Sequence, residues 1–484
     1  MMKKKNNLTP FGKDNFMKKI ISSLILVISG ALTAQTHQPL MMYGFENIPG
    51  SMEMNPAFAM PNKVLIGIPA LANINLSIHN NSYSFEDIIK RDSGSKTFID
   101  FKNIADLTDN KTYLNTQFTT NILQGGISTY SGGYWSFGLN TSMDAHINLS
   151  EDAVDLFVYG NNHRKTLNKW IDFSDMDMEA SVYSTWHVGY SADLNKRIRL
   201  GGRLKIYNGL FNLSMRENSF KAITRKDDLI PDQIEATGTA QIFWTGIDNF
   251  SDDADDPSFS PINFNNLGLG IDLGIDYMFN KKMYLSASIV DLGFIEWNDD
   301  SQGHDIHLDS TVNYTGFNFD VSGDPEALQD DLDLWFDENE DNINTDSLTG
   351  VKYTTNMAMK TYINGTYRID KRSFVTATFA GQLRGDDFTA GLGVNYHKRV
   401  SKGIDLRSGI SYIDNQADIG LGANFNMGSF NIFLLTDNVI SMISPRISKG
   451  VNFALGMNVQ IRNNTGSKRR SGFSRTRWDD PRDR

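Results

Sequence analysis

Residues 267–277 decide the fold: they read Leu267-Gly268-Leu269-Gly270-Ile271-Asp272-Leu273-Gly274-Ile275-Asp276-Tyr277, in which large apolar residues alternate with glycine or aspartate. The same alternation recurs at 417–425 and at 451–461. A period of two places every second side chain on one face of a β-strand. The chain carries about fourteen such stretches, and it has no apolar run of the roughly 20 residues that a membrane-spanning helix needs. This pattern predicts an all-β fold, a transmembrane antiparallel β-barrel with lipid outside and a lumen inside.

The composition agrees with a barrel and excludes some other classes. Of the 484 residues 40% are hydrophobic, and the mean hydropathy is −0.35. A barrel tolerates such a polar composition because half of each strand faces the lumen. The 7 Trp, 17 Tyr and 30 Phe suit aromatic girdles at the two membrane interfaces. The net charge of −11 gives no basic footprint for nucleic acid.

The N-terminus has the organisation of a secretion signal. Met17-Lys18-Lys19 is basic, residues 20–30 are apolar, and Ala31-Leu32-Thr33-Ala34 forms a small-residue cleavage site before Gln35. A membrane anchor is the alternative, but the apolar run is too short to span a bilayer. We therefore expect a signal peptide over residues 1–34, with Met17 as an alternative start. The chain contains no Cys, which excludes disulfides, thiol chemistry and a lipidated cysteine.

Short polar turns define the topology. Six tight turns are predicted at 130–133, 194–197, 279–282, 369–372, 397–403 and 427–429. Because outer-membrane barrels have short periplasmic turns and longer outer loops, all six are placed in the periplasm. About fourteen strands then run between residues 63 and 461, with both ends of the barrel chain in the periplasm of a Gram-negative cell. The expected organisation is a hatch segment at 35–62, a barrel at 63–461 and a basic periplasmic tail at 462–484.

Two of the long outer connections contain stretches with the alternation of β-strands. Residues Ile234 to Trp244 and Ile306 to Val321 alternate like strands, but either one placed singly in the membrane would move a later tight turn to the outside. We interpret both as hairpin extensions above the bilayer. Residues Pro325 to Phe336 are spaced like one face of a short helix, with Asp324 as its N-cap.

The segment before the first strand is too apolar for a free tail. Residues Gly44 to Phe58 are rich in Met, Pro and aromatic side chains. Such a segment beside a wide lumen is expected to fold into it as a plug. Disorder is the alternative.

Short motifs in and after this segment resemble a known family. Asn55-Pro56-Ala57 is similar to the Asn-Pro-Ala element of the long-chain fatty-acid outer-membrane transporter superfamily, whose members carry it in an N-terminal hatch that closes the lumen. The chain is still more similar to a set of uncharacterised Bacteroidota outer-membrane barrels, which share Ile66-Gly67-Ile68-Pro69, a Thr-Asp-Asn-Val turn at 436–439 and a closing strand like that at 451–461. The resemblance implies a plugged barrel in which Asn55, Pro56, Ala57 and Phe58 are hatch residues. The Gly, Ala and Ser lead-in of the fatty-acid transporters is replaced here by residues 47–54.

Catalytic and metal-binding patterns were sought and are weak. The histidines His146 and His187 lie in predicted strands, and the sequence has no serine in a Gly-x-Ser-x-Gly elbow. No catalytic residue and no enzymatic activity is therefore predicted. His304 and His307 are three residues apart, which places them on opposite faces of a strand. The acidic run from Asp337 starts like a Ca²⁺ loop but lacks the glycine and glutamate of an EF-hand. We expect no cofactor or metal centre, and the acidic loops leave open a surface Ca²⁺ site.

The basic tail is the strongest signal outside the barrel. It carries candidate partner-binding residues at Lys468, Arg469, Arg470, Arg475, Arg477 and Trp478. A solvated tail is one interpretation, and docking to an acidic periplasmic partner or to lipid headgroups is the other.

Two function classes remain for the whole chain. The first is passage or binding of a hydrophobic or amphipathic small molecule through a hatch-gated barrel. The second is a structural or assembly role in a secretion, motility or surface complex, because a related superfamily member serves as a shuttle subunit of the type-nine secretion system. The outer-membrane lipid is the expected environment in both cases.

Overall fold

The structure is a computed structural model that describes residues 38–461, apart from 46, 92–96, 111, 226–232, 247–264, 299–300, 314–343, 386, 414–415, 445 and 447. Within this part of the chain, fourteen strands form a closed antiparallel barrel, as the alternation predicts. Their bounds are β1 Val64–Gly67 with Ile74–Asn80, β2 Thr112–Ser128, β3 Tyr134–Leu149, β4 Asp177–Asp193, β5 Ile198–Arg216, β6 Leu267–Met278 and β7 Met283–Trp297. The second half comprises β8 Tyr353–Asn356 with Met359–Arg368, β9 Ser373–Arg384, β10 Asp387–Arg399, β11 Ile404–Ile413, β12 Gln416–Met427, β13 Phe430–Thr436 and β14 Gly450–Ile461.

Neighbouring strands pair in chain order, and the last strand closes the ring. Ile66 lies opposite Val459, and Ile78 lies opposite Val451, so β14 pairs with both pieces of β1. All six predicted tight turns connect consecutive strands at one end of the barrel, which we call the tight-turn end. At the shortest of them Gly428 has a φ of 66°, a conformation that glycine adopts without strain. We call the other end, where the long connections lie, the long-loop end.

β1 is interrupted, whereas the sequence predicts one continuous strand from Lys63 to Ile78. Pro69 has no N–H for a β-ladder, and Ala70 has a φ of 60°, so the strand is interrupted by a bulge over residues 68–73. The wall stays closed around the bulge, because Ile68 donates to the Met457 carbonyl and Met457 donates to the Leu71 carbonyl. On the other side the Asn121 N–H donates to the Asn73 carbonyl at 3.1 Å.

The two faces of each strand differ as the alternation predicts. On β6 Leu273 is 51% exposed and faces outward, while its neighbour Asp272 is 0% exposed and faces the lumen. The outward face of the whole barrel is lined with large apolar side chains of this kind. Exposed aromatic residues lie near the tight-turn end of five strands: Trp135, Tyr190, Tyr367, Tyr396 and Phe430.

The long-loop end carries short elements of its own. Its strands are Ile89–Arg91, Thr97–Ile99, Ile171–Asp172, Lys221–Ile223, Gln233–Thr245, Gln302–Asn313 and Asn344–Thr349, and its helices are Phe85–Ile88, Phe101–Leu107, Glu151–Tyr159 and Val439–Ile443. Ser150 caps the helix Glu151–Tyr159 by accepting from the Ala153 N–H, and Gly160 ends it with a φ of 75°. Among the described residues, no helix is both long and apolar enough to cross a membrane.

The first strand-like excursion does not form a hairpin of its own, and of the second the structure describes residues 306–313. Gln233–Thr245 pairs antiparallel with Gln302–Asn313 over the full length of both, and its C-terminal part also extends the pairing of β5 beyond β6. Unpaired backbone N–H and C=O groups at a strand edge are unfavourable. Two long strands side by side pair these groups more completely than two isolated hairpins would. The predicted helix at 325–336 lies outside the described residues.

Candidate functional site: the plugged lumen

Residues 38–62, Glu46 excepted, lie inside the barrel, and we call them the plug segment. The segment contains a 3₁₀ turn at Leu40–Met42 and a short helix at Ser51–Met54. Its buried apolar side chains are Leu40, Met41, Met42, Tyr43, Phe45, Ile48, Met52, Met54, Ala57 and Met60. The segment starts near the long-loop end and reaches the tight-turn end, where it continues into β1.

The wall makes room for the plug segment with glycines at lumen-facing positions. A Cβ at Gly201 would lie 2.1 Å from the Pro56 carbonyl oxygen, and one at Gly274 would lie 2.0 Å from Asn55 Oδ1. Gly420 leaves a similar space for Met41, 2.9 Å from a Cβ there, while Leu40 lies at ordinary contact distance from Gly391 and Gly393 and Phe45 from Gly422. The alternation that builds the strands therefore also shapes the cavity that holds the plug segment.

Asn55 docks the plug segment on β6 and β7. Its Nδ2 donates to the Tyr43 hydroxyl at 2.8 Å and lies 3.3 Å and 3.4 Å from the carbonyl oxygens of Ala287 and Ile275. Its Oδ1 accepts from the Ala57 N–H at 2.9 Å, which makes Asn55-Pro56-Ala57 a tight turn. Asn55 and Ala57 are fully buried, and Phe58 is half-buried with its ring centroid 5.2 Å from that of Tyr43.

A buried group of charges fixes the middle of the plug segment. Arg203 on β5 donates to the Met52 carbonyl at 2.6 Å and pairs with Asp272 on β6 at 3.0 Å. Lys205 joins Asp272 at 2.9 Å to Asp291 at 2.6 Å. Because the guanidinium of Arg203 bonds both a wall carboxylate and a carbonyl of the plug segment, the plug segment becomes part of the ionic network of the wall.

Glu53 fixes the opposite side of the same helix. Its carboxylate accepts from Asn73, the last residue of the bulge of β1, at 2.8 Å and from Asn121 on β2 at 2.5 Å. Burial raises the pKa of Glu53, while the hydrogen bonds from Asn121 and Asn73 and the charge of Arg203 act in the opposite direction. The helix Ser51–Met54 thus bridges the lumen between β2 and β5.

The start of the plug segment is held by a second charged pair. Asp437, in the connection after β13, accepts from the N–H groups of Leu40 and Met41, the latter at 3.1 Å. Arg407 on β11 donates to the carbonyls of Met41 at 2.7 Å and Tyr43 at 3.0 Å. Burial raises the pKa of Asp437 to about 6, against the lowering effects of these N–H donors and of Arg407.

Toward the long-loop end of the lumen lies a small, partly open cleft. It is lined by Asp144, Glu179, Ser181, Tyr183, Ile295, Thr355, Asn356, Met357, Ala358 and Arg384. Arg384 and Asp144 form an ion pair across it.

The other residues that the sequence singles out lie either in the wall or outside the described residues. His146 contacts Asn115 and lies 3.5 Å from Asp387, without a nucleophile beside it. The tail residues Lys468, Arg469, Arg470, Arg475, Arg477 and Trp478 lie outside the described residues, as does most of the acidic run from Asp337. Sequence reasoning did not select Arg203 or Arg407, and the signal available was that each stands at a lumen-facing position of an alternating strand.

Together the closed sheet and its filled lumen define a plugged β-barrel. The chain belongs to a family of unknown function (DUF5723), whose model matches residues 56–437. No curated protein matches the sequence.

Solved structures with a similar arrangement of strands are distant in sequence. The Pseudomonas putida toluene transporter TodX is 8% identical, with a TM-score of 0.41 over 88% of this chain and 98% of that one. A Pseudomonas aeruginosa FadL homologue is 12% identical, with a TM-score of 0.41 over 89% and 100%. The Ralstonia pickettii toluene transporter TbuX is 10% identical, with a TM-score of 0.40 over 89% and 97%. Likeness at this distance does not extend to ligand or mechanism.

Proposed function

We propose that this protein lies in the outer membrane of a Gram-negative bacterium, with the tight-turn end in the periplasm. The outward apolar face supports the membrane, because exposed apolar side chains on every strand have no favourable place in water. The aromatic residues near the tight turns suit a membrane interface. The long connections at the other end suit the cell exterior, as in single-chain outer-membrane barrels.

An arginine at Leu273 tests this placement. Leu273 is the seventh of the twelve residues of β6, near mid-depth, and it faces outward. Leu273→Arg is expected to lower the free energy of unfolding by about 2–4 kcal/mol in lipid vesicles, whereas Tyr277→Arg, near the interface, should cost about 0–1 kcal/mol. Equilibrium unfolding of the two variants measures the difference, and equal costs at the two depths would contradict the membrane placement.

Within that membrane, the barrel passes or binds a hydrophobic or amphipathic small molecule, and the plug segment is its hatch. The observation that carries this proposal is the composition of the filled lumen. Met42, Met54, Tyr43, Phe45 and Ile48 pack in one cluster with wall residues such as Tyr362 and Phe433. Flexible thioethers and aromatic rings can repack around an apolar ligand, whereas an open porin keeps a water-filled lumen. No enzymatic activity is proposed.

A reversible lock tests the hatch. The natural chain has no Cys, and a Cβ at Gly393 would lie 3.5 Å from the Leu40 Cβ, within the range of a disulfide. In the variant Leu40→Cys with Gly393→Cys, oxidation is expected to abolish entry of a hydrophobic dye such as N-phenylnaphthylamine into lipid vesicles. Reduction should restore it. The two single-cysteine variants are the matched controls and should not respond to oxidant.

The same measurement separates the alternative role. If the oxidised and reduced double variants admit the dye equally, the plug segment does not gate passage. If no variant admits the dye and planar bilayers show no conductance, the plug is a permanent filling. The barrel then serves as an anchor for an assembly, and the expected tail partner becomes the main question.

A further inference from the structure

The first turn of the plug segment is held by a surface connection of the barrel. Asp437 accepts from the N–H groups of Leu40 and Met41, and Arg407 donates to the carbonyls that follow. All these contacts use main-chain atoms of the plug segment. Release of this turn therefore requires the loss of the hydrogen bonds of Asp437 and Arg407 as well as of the packing of Leu40 and Met41 against the wall.

Asp437 in turn belongs to a hydrogen-bonded loop at the long-loop end. Its N–H donates to Asn452 Oδ1 on β14 at 2.8 Å, and the next residue, Asn438, donates to Asp418 on β12 at 3.1 Å. Ser441 also donates to Asp418, at 3.3 Å. Ser441 lies in the helix Val439–Ile443, whose last residue is 79% exposed. One short path thus connects an exposed helix to the buried start of the plug segment.

The two ends of the plug segment are held in different ways. Its C-terminal end continues covalently into β1 and is fixed by Asn55 and the Arg203 network. Its first turn depends on the hydrogen bonds of Asp437 and Arg407. A small shift of the loop would break two charge-assisted hydrogen bonds at once, so this end is the one that a movement at the surface can free.

We infer that residues 437–443 form a latch that couples the exposed surface of the loop to the docking of the plug segment. A displacement of this outer loop would shift Asp437 and free the plug segment from the long-loop end. The inference adds regulation to the proposed function. That release opens a path for passage rests on the proposed function, whereas the release itself does not.

A cysteine-labelling experiment measures release directly. In a Leu40→Cys background the single thiol is buried, since Leu40 is 1% exposed. Adding Asp437→Asn should raise the rate of labelling by a small maleimide about tenfold or more, because a lost charge-assisted hydrogen bond exceeds the ~1.4 kcal/mol of one factor of ten. Asn438→Ala should also accelerate labelling, although Asn438 bonds to β12 and not to the plug segment.

The matched control is another buried carboxylate of the same wall. Asp144 on β3 bonds to Arg384 and Gln117, and Asp144→Asn should leave the labelling rate within about twofold, since those partners are wall residues. Heat-modifiable migration on gels confirms that each variant holds a folded barrel. An unchanged rate in Asp437→Asn would overturn the latch, and acceleration by Asp437→Asn without any by Asn438→Ala would overturn the coupling to the loop.

This readout is independent of passage. Faster labelling in both latch variants, with dye entry and conductance unchanged, would support the latch and contradict the proposed function. Unchanged labelling, together with dye entry that oxidation of the disulfide abolishes, would support the hatch and contradict the latch.

Discussion

Gly201→Val is expected to displace the plug segment and open the barrel to ions. The nearest atoms to a Cβ at this position are the Pro56 carbonyl oxygen at 2.1 Å, the Pro56 carbonyl carbon at 2.3 Å and the Ala57 nitrogen at 2.4 Å. All three belong to the backbone of the Asn-Pro-Ala turn, so no flexible side chain can move aside. Overpacking typically costs about 1–3 kcal/mol, and the branched side chain adds two more methyl groups to the clash.

The neighbouring residue gives a matched control. Gly202 faces outward, and the nearest atom to a Cβ there is 3.9 Å away. Gly202→Ala should therefore leave conductance in planar bilayers at its original level. Gly201→Val should raise it toward that of a barrel lacking residues 44–58. Unchanged conductance in the valine variant would mean that the turn retreats within the lumen without opening it.

The barrel itself could be predicted from the sequence because its strands are a local property. Each strand repeats the alternation seen at 267–277, and each tight turn is marked by a few polar residues, so strand order and count follow from neighbours along the chain. The break in β1 was less visible. Pro69 in a strand is a known signal for a bulge, but the quoted motif Ile66-Gly67-Ile68-Pro69 was treated as part of one strand.

The contacts that hold the plug segment could not be predicted in the same way. Leu40 and Asp437 are 397 residues apart, and nothing near either residue identifies the other. The short Asn55-Pro56-Ala57 motif predicted a hatch element, and the structure places this turn in the lumen. The wall positions that it contacts are glycines on β5 and β6. A lumen-facing glycine in an alternating strand shows only that space is needed. It does not show which segment fills the space.

Asp272→Leu is expected to be the most destabilising single change in the lumen wall. The Asp272 carboxylate is fully buried between Arg203 at 3.0 Å and Lys205 at 2.9 Å, and it also accepts from the Asp291 N–H at 2.8 Å. Its removal leaves two buried cations with less counter-charge, for which a cost of about 3–5 kcal/mol is typical. Denaturant unfolding in lipid vesicles measures this loss. A surface pair gives the comparison: Asp370→Asn, 3.9 Å from Lys398, should leave the free energy of unfolding close to that of the natural chain.

A second variant separates the loss of charge balance from the loss of packing. Replacing both Asp272 and Arg203 by leucine removes the pair together, so the cost should fall well below the sum of the two single changes if the pair compensates itself. Because Arg203 also donates to the Met52 carbonyl, the double variant should still loosen the plug segment and raise conductance while recovering much of the stability. If the cost of the double variant equals the sum of the costs of the two single variants, the wall holds the two ions separately. Asp272 then does not anchor the plug segment through Arg203.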